Sequence, residues 1–595
     1  MKHITLIGIL SREHGGLTRA AFRRSTALAA IGETVEVLCF NVIPDFDEMA
    51  DHVRRTSEIG TVPLRNFFHD LSLPSHTISK ASAVRAGLKT STSSYHPVDE
   101  LDVTETEFES PTQSFRFRHY TDTEGVLTRV DFINRENRIF FIDERKANTG
   151  RPRRMTLLEP TTGKKLYQGG NYAFQTAWID TQIGDDHAAL GIDGASLATA
   201  LRGYTRSNVQ KNYIIHALHT ENDVSPTNGP IRKDRVEAFR SHRTLDNIIC
   251  LTNRQAQHVA QRLLPACPVR VVPNVIPLAE LSDVGRDPNL CVIVSRLSDP
   301  AKRLNVWARA FASARDSNPH LRAEIYGGPL SGELYEDLVR TIDELGLREH
   351  VVFHGHTDDA ADRFAQAGFT VMSSSREGFG MTLVEAMRRG AIPVAFDINY
   401  GPAEIIRDRE TGFLVTDRDI DGLAAGMVEA SKLTDDTMRK AAADAAHKFS
   451  PDVIGRRYLE VVNESWQQMH TRRELDTIRA KVAGLTFTSE NQRVQFSCTW
   501  VDGITPDVDR VEVIATDHHS LITHTTEADQ VRFTDFGFDT TADIPSEMFE
   551  NLGGRDVTGW LRLHADGTHQ DVRPTWPELW SAWPSRSPTG SFNFR

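Results

Sequence analysis

The stretch TVMSSSREGFGMTLVEAMRRGAIPVAF, residues Thr370–Phe396, decides the fold of this sequence. It predicts a buried strand, a loop with two glycines, a helix over Thr382–Arg389 and a second buried strand. Two apolar strands joined by a helix are typical of a parallel sheet that helices cover on both faces. The free N–H groups at the start of the helix favour a phosphate, and the glycines let a ligand approach the loop closely.

The same alternation extends over residues 286–450. Strands are predicted at Cys291–Ser295, Ala323–Tyr326, Val351–His354, Thr370–Ser373 and Ile392–Phe396. Helices are predicted at Leu304–Ser317, Gly332–Leu345, Ala360–Ala367 and Thr382–Arg389, and then near Asp421–Ser431 and Asp435–Lys448. This order indicates a doubly wound α/β domain.

The first 40 residues show a second α/β pattern, in which a turn at Gly15 and Gly16 separates the apolar run Ile4–Leu10 from a helical pattern over Leu17–Ala30. Short alternating segments between residues 111 and 170 indicate an antiparallel β-meander inserted into this first domain. The residues after 476 again alternate as short strands, which predicts a small β-sandwich.

We therefore predict an α/β protein with two Rossmann-like, doubly wound domains that face a cleft. A β-meander insertion interrupts the first domain, and a β-rich domain follows the second. The predicted boundaries are 1–98 and 171–285 for the two parts of the N-terminal domain, 99–170 for the insertion, 286–450 for the C-terminal Rossmann-like domain, 451–475 for a cross-over helix and 476–595 for the accessory β-domain.

The composition narrows the class of protein. The 595 residues include 68 Lys and Arg against 81 Asp and Glu, a net charge of −13 that argues against a general nucleic-acid binder. No apolar run reaches the roughly 18–20 residues that a transmembrane helix needs. We expect the apolar start to be a buried strand rather than a signal peptide, because no small-residue cleavage site follows it. The 5 cysteines are far apart and lack metal spacing, which predicts buried thiols in the cytoplasm.

Two glutamates of the opening stretch are candidates for chemistry. Glu377 lies in the glycine loop and Glu385 lies in the helix, so both can face one bound molecule. The spacing alone leaves two alternatives open. Thr382-x-x-Glu385 also matches a capping box, in which Glu385 only satisfies the helix start, and Glu377 could be a solvated loop carboxylate.

This segment resembles the E-x7-E motif of retaining glycosyltransferases of family 4, which have the two-domain GT-B fold. Further blocks follow in that family's order: Ser295-Arg296-Leu297 with Lys302-Arg303, Tyr326-Gly327-Gly328-Pro329, Val352-Phe353-His354-Gly355, Gly401–Ile406 and Gly412–Val415. The resemblance covers Leu290–Val415 and extends, with fewer matches, to Ile4–Ala30. It implies an acceptor domain at the N-terminus and a donor nucleotide-sugar domain after it.

Arg296 and Lys302 resemble the family's donor-phosphate motif. Arg296 follows a predicted strand at the edge where parallel sheets bind ligands. A guanidinium fork and an ammonium can stabilise the diphosphate that leaves, without a metal ion. The family commonly has the lysine one residue nearer to the arginine, so here either the loop bulges at Asp299-Pro300 or Arg303 shares the role. The alternative is two surface cations beside a helix start.

The resemblance also implies roles for the glutamates and the loop. Glu385 would hold the ribose of the nucleotide, and Glu377 would lie near the transferred sugar as a nucleophile or an orienting group. Backbone groups of Gly378, Phe379, Gly380, Met381 and Thr382 would contact the donor. Gly15 and Gly16 resemble the glycine loop that closes over the diphosphate, although a Gly-Gly turn alone is a weak signal.

A histidine at the end of the predicted strand Tyr213–Leu218 is implied to hydrogen-bond the donor sugar. Alternation places His216 and His219 on opposite faces of this strand, so one of them enters the cleft, and we expect His216. Without the resemblance, a histidine at a strand end is more often a satisfied core residue. Asp45-Phe46-Asp47 and Asp417-Arg418-Asp419 match a D-x-D metal motif but are expected to be solvated turns, so no metal ligand is predicted.

The insertion segment Phe115–Asp143 resembles that of poly(glycerol-phosphate) α-glucosyltransferases and of the glycosyltransferases of serine-rich adhesins. These resemblances imply a polymeric acceptor, either wall teichoic acid or Ser/Thr hydroxyls of a protein. Residues 111–170 hold 12 Lys and Arg against 7 Asp and Glu, with a cluster at Arg151, Arg153 and Arg154. A basic surface suits a polyphosphate, although such a run is usually only a solvated face.

Five of the 8 tryptophans fall in the accessory β-domain: Trp500, Trp560, Trp576, Trp580 and Trp583. They are either a sugar-stacking platform or, as we expect, part of the sandwich core. The accessory domain could equally serve oligomerisation.

The leading hypothesis is a retaining hexosyltransferase that moves glucose or N-acetylglucosamine from a UDP-sugar to hydroxyls of a cell-surface polymer such as poly(glycerol-phosphate). The alternatives are a Ser/Thr O-glycosyltransferase of adhesins and a non-catalytic glycan-binding partner; the joint presence of two cations and two glutamates argues against the latter. We expect no cofactor beside UDP-glucose or UDP-N-acetylglucosamine and no nucleic-acid partner. A cytoplasmic homo-oligomer, peripherally associated with the inner face of the membrane, is also expected.

Overall fold

The structure is a computed structural model. It describes the chain apart from residues 13–14, 74, 91–101, 106–111, 123, 146–152, 160, 223, 280, 282–284, 358, 434, 488–490, 500–507, 518–520, 522, 529, 535–536, 546–556, 575–584, 587–591 and 594–595. Arg151 and four of the five tryptophans named above (Trp500, Trp576, Trp580 and Trp583) therefore lie outside the described residues.

The chain begins with strands that alternate with helices. In order these are β1 (Lys2–Ile7), α1 (Gly16–Ala30), β2 (Thr34–Cys39), α2 (Phe46–Thr56), β3 (Leu64–Asn66), α3 (Phe67–Ser72) and α4 (Lys80–Arg85). β1 is buried at every residue but its first, as expected for a strand that helices cover on both faces.

An antiparallel sheet interrupts this pattern. Its strands are β4 (Lys89–Thr90), β5 (Asp102–Glu105), β6 (Phe115–Thr121), β7 (Leu127–Asn134), β8 (Ile139–Glu144), β9 (Arg154–Leu158) and β10 (Lys165–Gly169). Consecutive strands from β5 to β10 are neighbours, as in a meander, and β4 pairs with β10. The sheet thus starts ahead of the boundary predicted at residue 99. Phe132 stacks on Phe68 of α3 at 4.9 Å between ring centroids, which fastens the insertion to the first domain.

The α/β pattern then resumes. Its elements are α5 (Asn171–Ile183), β11 (Ala188–Ile192), α6 (Ala195–Ala200), β12 (Val209–Ile215), α7 (Val236–Arg240), a 3-10 turn at Ser241–Arg243, β13 (Asn247–Cys250), α8 (Asn253–Leu263) and β14 (Val269–Val271). The first parallel sheet has the order β14-β13-β12-β11-β1-β2-β3. This sheet and its helices are called the N-terminal lobe.

A second parallel sheet forms the C-terminal lobe. Its strands are β15 (Asp287–Val294), β16 (Arg322–Tyr326), β17 (Val351–Gly355), β18 (Ala367–Met372), β19 (Ile392–Asp397) and β20 (Phe413–Thr416), in the order β17-β16-β15-β18-β19-β20. Its helices are α9 (Leu304–Ser317), α10 (Glu333–Glu344), α11 (Met381–Arg389), α12 (Pro402–Ile405), α13 (Ile420–Ser431) and α14 (Thr437–Ala446). Short 3-10 turns lie at Pro300–Lys302, Arg348–His350, Ala360–Ala365 and His447–Phe449, so the helix predicted at Ala360–Ala367 is a 3-10 turn.

Helix α15 (Pro451–Thr477) returns from the second lobe to the first. Gly455 on this helix faces α1, because a Cβ there would lie 3.2 Å from the carbonyl oxygen of Ala27. The Ser465 hydroxyl bonds the side chain of Asn247 at 2.7 Å. α15 therefore ties the end of the C-terminal lobe to the N-terminal lobe.

The remaining strands form a β-sandwich of two four-stranded antiparallel sheets, as predicted. They are β21 (Arg479–Phe487), β22 (Asn491–Thr499), β23 (Arg510–Asp517), β24 (Thr523–Glu527), β25 (Gln530–Thr534), β26 (Gly537–Pro545), β27 (Val557–Ala565) and β28 (Thr568–Val572). The orders are β21-β22-β26-β25 and β24-β23-β27-β28, and a separate pair joins β29 (Ser585–Arg586) to β30 (Phe592–Asn593).

The sandwich docks on the N-terminal lobe. Trp560 lies there half-buried beneath the Arg243 guanidinium, whose Cζ is 4.0 Å from the ring centroid. This tryptophan is therefore neither an open stacking platform nor part of the sandwich core. Among the described helices, none combines the length and apolar character needed to cross a bilayer.

Candidate active site

The loop that joins β18 to α11 lies where the two lobes meet. A Cβ on Gly378 would lie 1.9 Å from the carbonyl oxygen of His216, which belongs to the N-terminal lobe. On the other side, a Cβ on Gly401 would lie 1.6 Å from the carbonyl oxygen of Phe379. Because neither contact has room for a side chain, the glycines allow this loop to lie between backbone segments of both lobes.

Helix α11 starts without a side-chain cap. Its N-cap residue is Gly380, with φ +96°, a conformation that favours glycine. The first N–H groups of the helix thus lack a side-chain acceptor, which suits them to an anion. Gly16, at the start of α1, lies opposite: a Cβ there would be 3.1 Å from Cε of Met381. The predicted glycine turn therefore lies against the start of α11, and Gly15 is the N-cap of α1.

Glu377 and Lys302 are direct partners in the structure. Lys302 Nζ donates to the Glu377 Oε1 at 2.6 Å, and the hydroxyl of Ser374 donates to the same oxygen at 2.6 Å. Both charged side chains are largely buried, with 19% of Lys302 and 14% of Glu377 exposed. Glu377 is therefore not a solvated loop carboxylate, and the sequence prediction that cation and carboxylate share one site agrees with their contact.

Arg296 faces solvent, in contrast to Lys302. Its side chain is 68% exposed and pairs with Asp299 at 3.0 Å. Asp299 also accepts from the N–H of Ala301, where a 3-10 turn begins and takes up the extra residue between the two cations. The structure thus places Arg296 at the rim rather than beside Glu377.

Arg303 has a different role from the one considered for it. Its guanidinium donates to the carbonyl oxygens of Ser373 and Ser374 and to Asp417, at 3.0, 2.6 and 2.5 Å. Arg303 therefore holds the loop that carries Glu377. Asp417 binds this arginine and Asp419 caps α13, so both carboxylates of Asp417-Arg418-Asp419 have partners within the protein.

Glu385 meets a partner that the sequence did not reveal. Arg23 of α1 donates from Nη1 to Glu385 Oε1 at 2.7 Å, across the two lobes, and binds Glu58 at 2.8 Å. Arg23 and Glu385 are 5% and 2% exposed. Although burial acts to lower it, the two carboxylates raise the pKa of Arg23 above its ordinary value. The capping-box interpretation of Glu385 is wrong, since the N-cap of α11 is Gly380 rather than Thr382 and the Glu385 carboxylate bonds Arg23.

His216 lies just beyond β12, which ends at Ile215. Its Nε2 donates to Asp193 Oδ1 at 2.6 Å, and Arg24 binds both oxygens of that carboxylate, at 2.9 and 2.5 Å. Burial opposes ionisation, but Arg24 and His216 hold the pKa of Asp193 below its usual range. An ionised Asp193 keeps the proton on Nε2, which orients the imidazole.

His219 is buried in the N-terminal lobe. It is 0% exposed, and its Nε2 donates to the carbonyl oxygen of Pro226 at 2.8 Å. Burial lowers the pKa of His219 to about 4, so the ring is neutral. The structure therefore brings His216 to the Gly378 loop and leaves His219 in the core. The alternation argument was wrong in detail, because both residues follow the strand.

The sequence missed Arg23, Arg24 and Asp193. The signal for the arginines was two adjacent cations inside the helical pattern of Leu17–Ala30, where an apolar face was expected. Buried arginines require carboxylate partners, but the partners are far away in the sequence.

Two parallel sheets whose carboxyl-end loops face each other, with a C-terminal helix returning to the first sheet, constitute the GT-B fold of glycosyltransferases. The chain has this fold. Its structure is similar to the crystal structure of TarM of S. aureus, with a TM-score of 0.63, 17% identity and coverage of 78% of this chain and 98% of that one.

Residues 282–449 match the family model described as glycosyl transferases group 1, so this part of the chain is a group 1 glycosyltransferase domain, as the resemblance implied. The exopolysaccharide phosphotransferase SCO2592 of Streptomyces coelicolor is 31% identical over 37% of this chain and 23% of its own length. The poly(ribitol-phosphate) α-N-acetylglucosaminyltransferase of Staphylococcus aureus is 23% identical over 49% of this chain and 59% of its own length. The matched part thus spans less than two thirds of either relative.

Proposed function

We propose that the protein is a retaining glycosyltransferase that moves glucose or N-acetylglucosamine from a UDP-sugar to a hydroxyl of a polyol-phosphate polymer, such as poly(glycerol-phosphate) wall teichoic acid. The observation that carries the proposal is the Lys302–Glu377 pair at 2.6 Å, beside an uncapped helix start and the His216 backbone of the opposite lobe. A polyol-phosphate acceptor is supported by the relative named for poly(ribitol-phosphate).

The leaving diphosphate carries the charge that this site must stabilise. The Lys302 ammonium and the first N–H groups of α11 are positive groups fixed before the reaction, so no metal ion is needed in the proposed mechanism. The start of α1 after Gly15-Gly16 approaches from the other lobe. Arg296, exposed at the rim, adds a guanidinium once the donor replaces Asp299 as its partner.

The two glutamates contact different parts of the donor. Glu377 lies near the transferred sugar, and its bond to Lys302 links the sugar to the phosphate end of the site. Glu385 holds the ribose through the carboxylate oxygen that Arg23 does not occupy. The His216 ring, oriented by Asp193, bonds a sugar hydroxyl. Such positioning groups are effective because their geometry is set before the donor arrives.

The acceptor face is less defined. Arg153, one of the basic cluster of the insertion, is bound to the buried carboxylate of Asp143 at 2.6 Å, and so is Arg145 at 2.9 Å. Arg154 on β9 is exposed and remains a candidate phosphate contact. In the proposed function the enzyme acts in the cytoplasm, at the inner face of the membrane, and forms a homo-oligomer.

The test is mass analysis of products from UDP-glucose and UDP-N-acetylglucosamine with poly(glycerol-phosphate) or poly(ribitol-phosphate) as acceptor. Lys302→Met is expected to lower kcat/KM by about 100-fold or more, the cost of removing one preorganised charge. Arg389→Ala, at the opposite end of α11, breaks an ion pair with Asp362 of the 3-10 turn Ala360–Ala365 and is the matched control. Full turnover in Lys302→Met, a β-linked product, or activity that EDTA removes and Mn²⁺ restores would contradict the proposal.

A further inference from the structure

A cavity of about 90 Å³ lies between the N-terminal lobe, helix α15 and the β-sandwich. It contains several times the space that one water needs. Lys211, near the start of β12, and Asp246, just before β13, line it from the sheet, while Arg472 and Arg473 line it from α15. Gln570 of β28 closes it from the sandwich. The cavity lies at the amino ends of the strands, and the candidate active site lies at their carboxyl ends. The seven residues of β12 separate the two sites by about 20 Å.

Three cations at this cavity share one carboxylate. The other two cations that line the cavity pair with carboxylates outside it: Arg206 pairs with Asp180 at 2.9 Å, and Arg243 pairs with Asp571 at 3.2 Å. Lys211, Arg472 and Arg473 remain. Among the described residues that line the cavity, Asp246 supplies the single negative charge. The local excess is therefore two positive charges.

The ammonium of Lys211 is buried, with 4% of the residue exposed. Its hydrogen bonds go to two neutral acceptors, the carbonyl oxygens of Leu201 and Tyr204 at 3.2 and 2.7 Å. Burial lowers the pKa of Lys211 to about 8; Asp246 opposes this shift, while Arg473 and Arg472 act in the same direction as burial. A buried ammonium whose hydrogen bonds all go to carbonyl oxygens, with one carboxylate shared among three cations, is costly.

The two arginines likewise donate to neutral acceptors rather than to a carboxylate. Arg473 donates to the carbonyl oxygens of Arg206 and Val209 at 2.6 and 3.2 Å. Arg472 is 6% exposed, and its Nη2 donates to the Leu245 carbonyl oxygen at 3.0 Å and to Gln570 Oε1 at 3.2 Å. Its buried Nε has no hydrogen-bond partner among the described residues. Its Nη1 lies 3.7 Å from Asp246 Oδ1, beyond a normal hydrogen bond.

We propose that this cavity binds a phosphate group. A doubly charged phosphate balances the excess of Lys211, Arg472 and Arg473, and its oxygens suit guanidinium and ammonium donors. Because the lobe, α15 and the sandwich each supply lining residues, the bound group fastens the accessory domain to the catalytic body. This site is separate from the donor site, and only a polymer phosphate as its ligand rests on the proposed function. The phosphate is either free inorganic phosphate or a phosphate of the acceptor polymer.

The test uses thermal unfolding of the full chain in saturating UDP, with sodium phosphate added against sodium chloride of equal ionic strength. Phosphate at about 100 times its Kd is expected to raise the Tm by about 2–5 °C. Lys211→Met and Arg473→Met should lose this rise, whereas Lys302→Met, which alters the donor site, should keep it. Arg54→Met, which removes an exposed arginine of α2, is the matched control.

Calorimetric titration of the wild-type chain covers the case in which the cavity variants fail to fold. In saturating UDP, binding of inorganic phosphate or of glycerol 3-phosphate supports the site. Binding of a short poly(glycerol-phosphate) that competes with inorganic phosphate supports a polymer phosphate as the ligand. Absence of binding by all three probes, or an equal Tm rise in Lys211→Met and wild type, overturns the proposal.

Discussion

Gly378→Ala tests whether the contact between the lobes sets the geometry of the site. The new Cβ would lie 1.9 Å from the carbonyl oxygen of His216, 2.7 Å from its carbonyl carbon and 3.3 Å from the Cα of Ala217. The nearest atoms belong to the backbone, so no side-chain rotation can relieve the clash. Cβ atoms essentially never approach another atom more closely than 3.0 Å, so the loop or the facing lobe must move by at least about 1 Å.

A displacement of this size is expected to reduce the catalytic rate strongly and the free energy of unfolding moderately. A misplacement of about 1 Å costs roughly 100-fold in rate, which corresponds to about 2.7 kcal/mol of transition-state stabilisation. Overpacking costs about 1–3 kcal/mol of folding free energy. Because Lys302, Glu377 and Glu385 all belong to the C-terminal lobe with Gly378, we expect kcat to fall far more than UDP affinity.

The assay compares kcat, KM and the calorimetric Kd for UDP between wild type, Gly378→Ala and Gly203→Ala. Gly203 is exposed, and a Cβ there meets no atom within 4 Å, so this control should behave as wild type. Wild-type kcat in Gly378→Ala would refute the reasoning, since the lobes would then tolerate the shift. A loss of UDP binding equal to the loss of kcat would also refute it.

Two further predictions concern buried charges. Arg23→Ala leaves the buried Glu385 carboxylate without its partner and should lower the free energy of unfolding by about 3–5 kcal/mol, measured by thermal unfolding. Glu58→Gln removes the more exposed partner of Arg23 and should cost under about 1 kcal/mol. Equal losses in the two variants would contradict the assigned pairing. The pKa of His219 is lowered to about 4 in the folded chain, so folding favours its neutral form. The contribution of His219 to the free energy of unfolding is therefore present above pH 6.5 and is lost as the pH falls from 6.5 towards 4. At pH 5 this loss is about 2 kcal/mol, and the difference in Tm between pH 7 and pH 5 should shrink in His219→Gln; an unchanged difference would contradict it.

Local patterns of apolar residues in the sequence predicted much of the fold. The predicted helix Leu304–Ser317 has the same bounds in the structure, and the strand at Ile392 extends only one residue further than predicted. Both depend on periodic apolar residues within one segment, which a sequence displays directly. The resemblance implied that Lys302 and Glu377 serve one site, but their direct contact was not predicted.

The partners of individual charged groups could not be predicted from local sequence patterns. Whether Glu385 caps its own helix or crosses to another lobe depends on Arg23, which is 362 positions away in the chain. The exposure of Arg296 depends on the conformation of the turn that follows it. The end of β12 before His216 depends on where the hydrogen bonds between strands stop. By itself the sequence determined the order of strands and helices and the loop that prepares an anion site, since periodicity and glycine conformation act over a few residues. Only the tertiary structure decided which charges meet across the cleft, because burial and Coulomb attraction depend on distances that chain order does not contain.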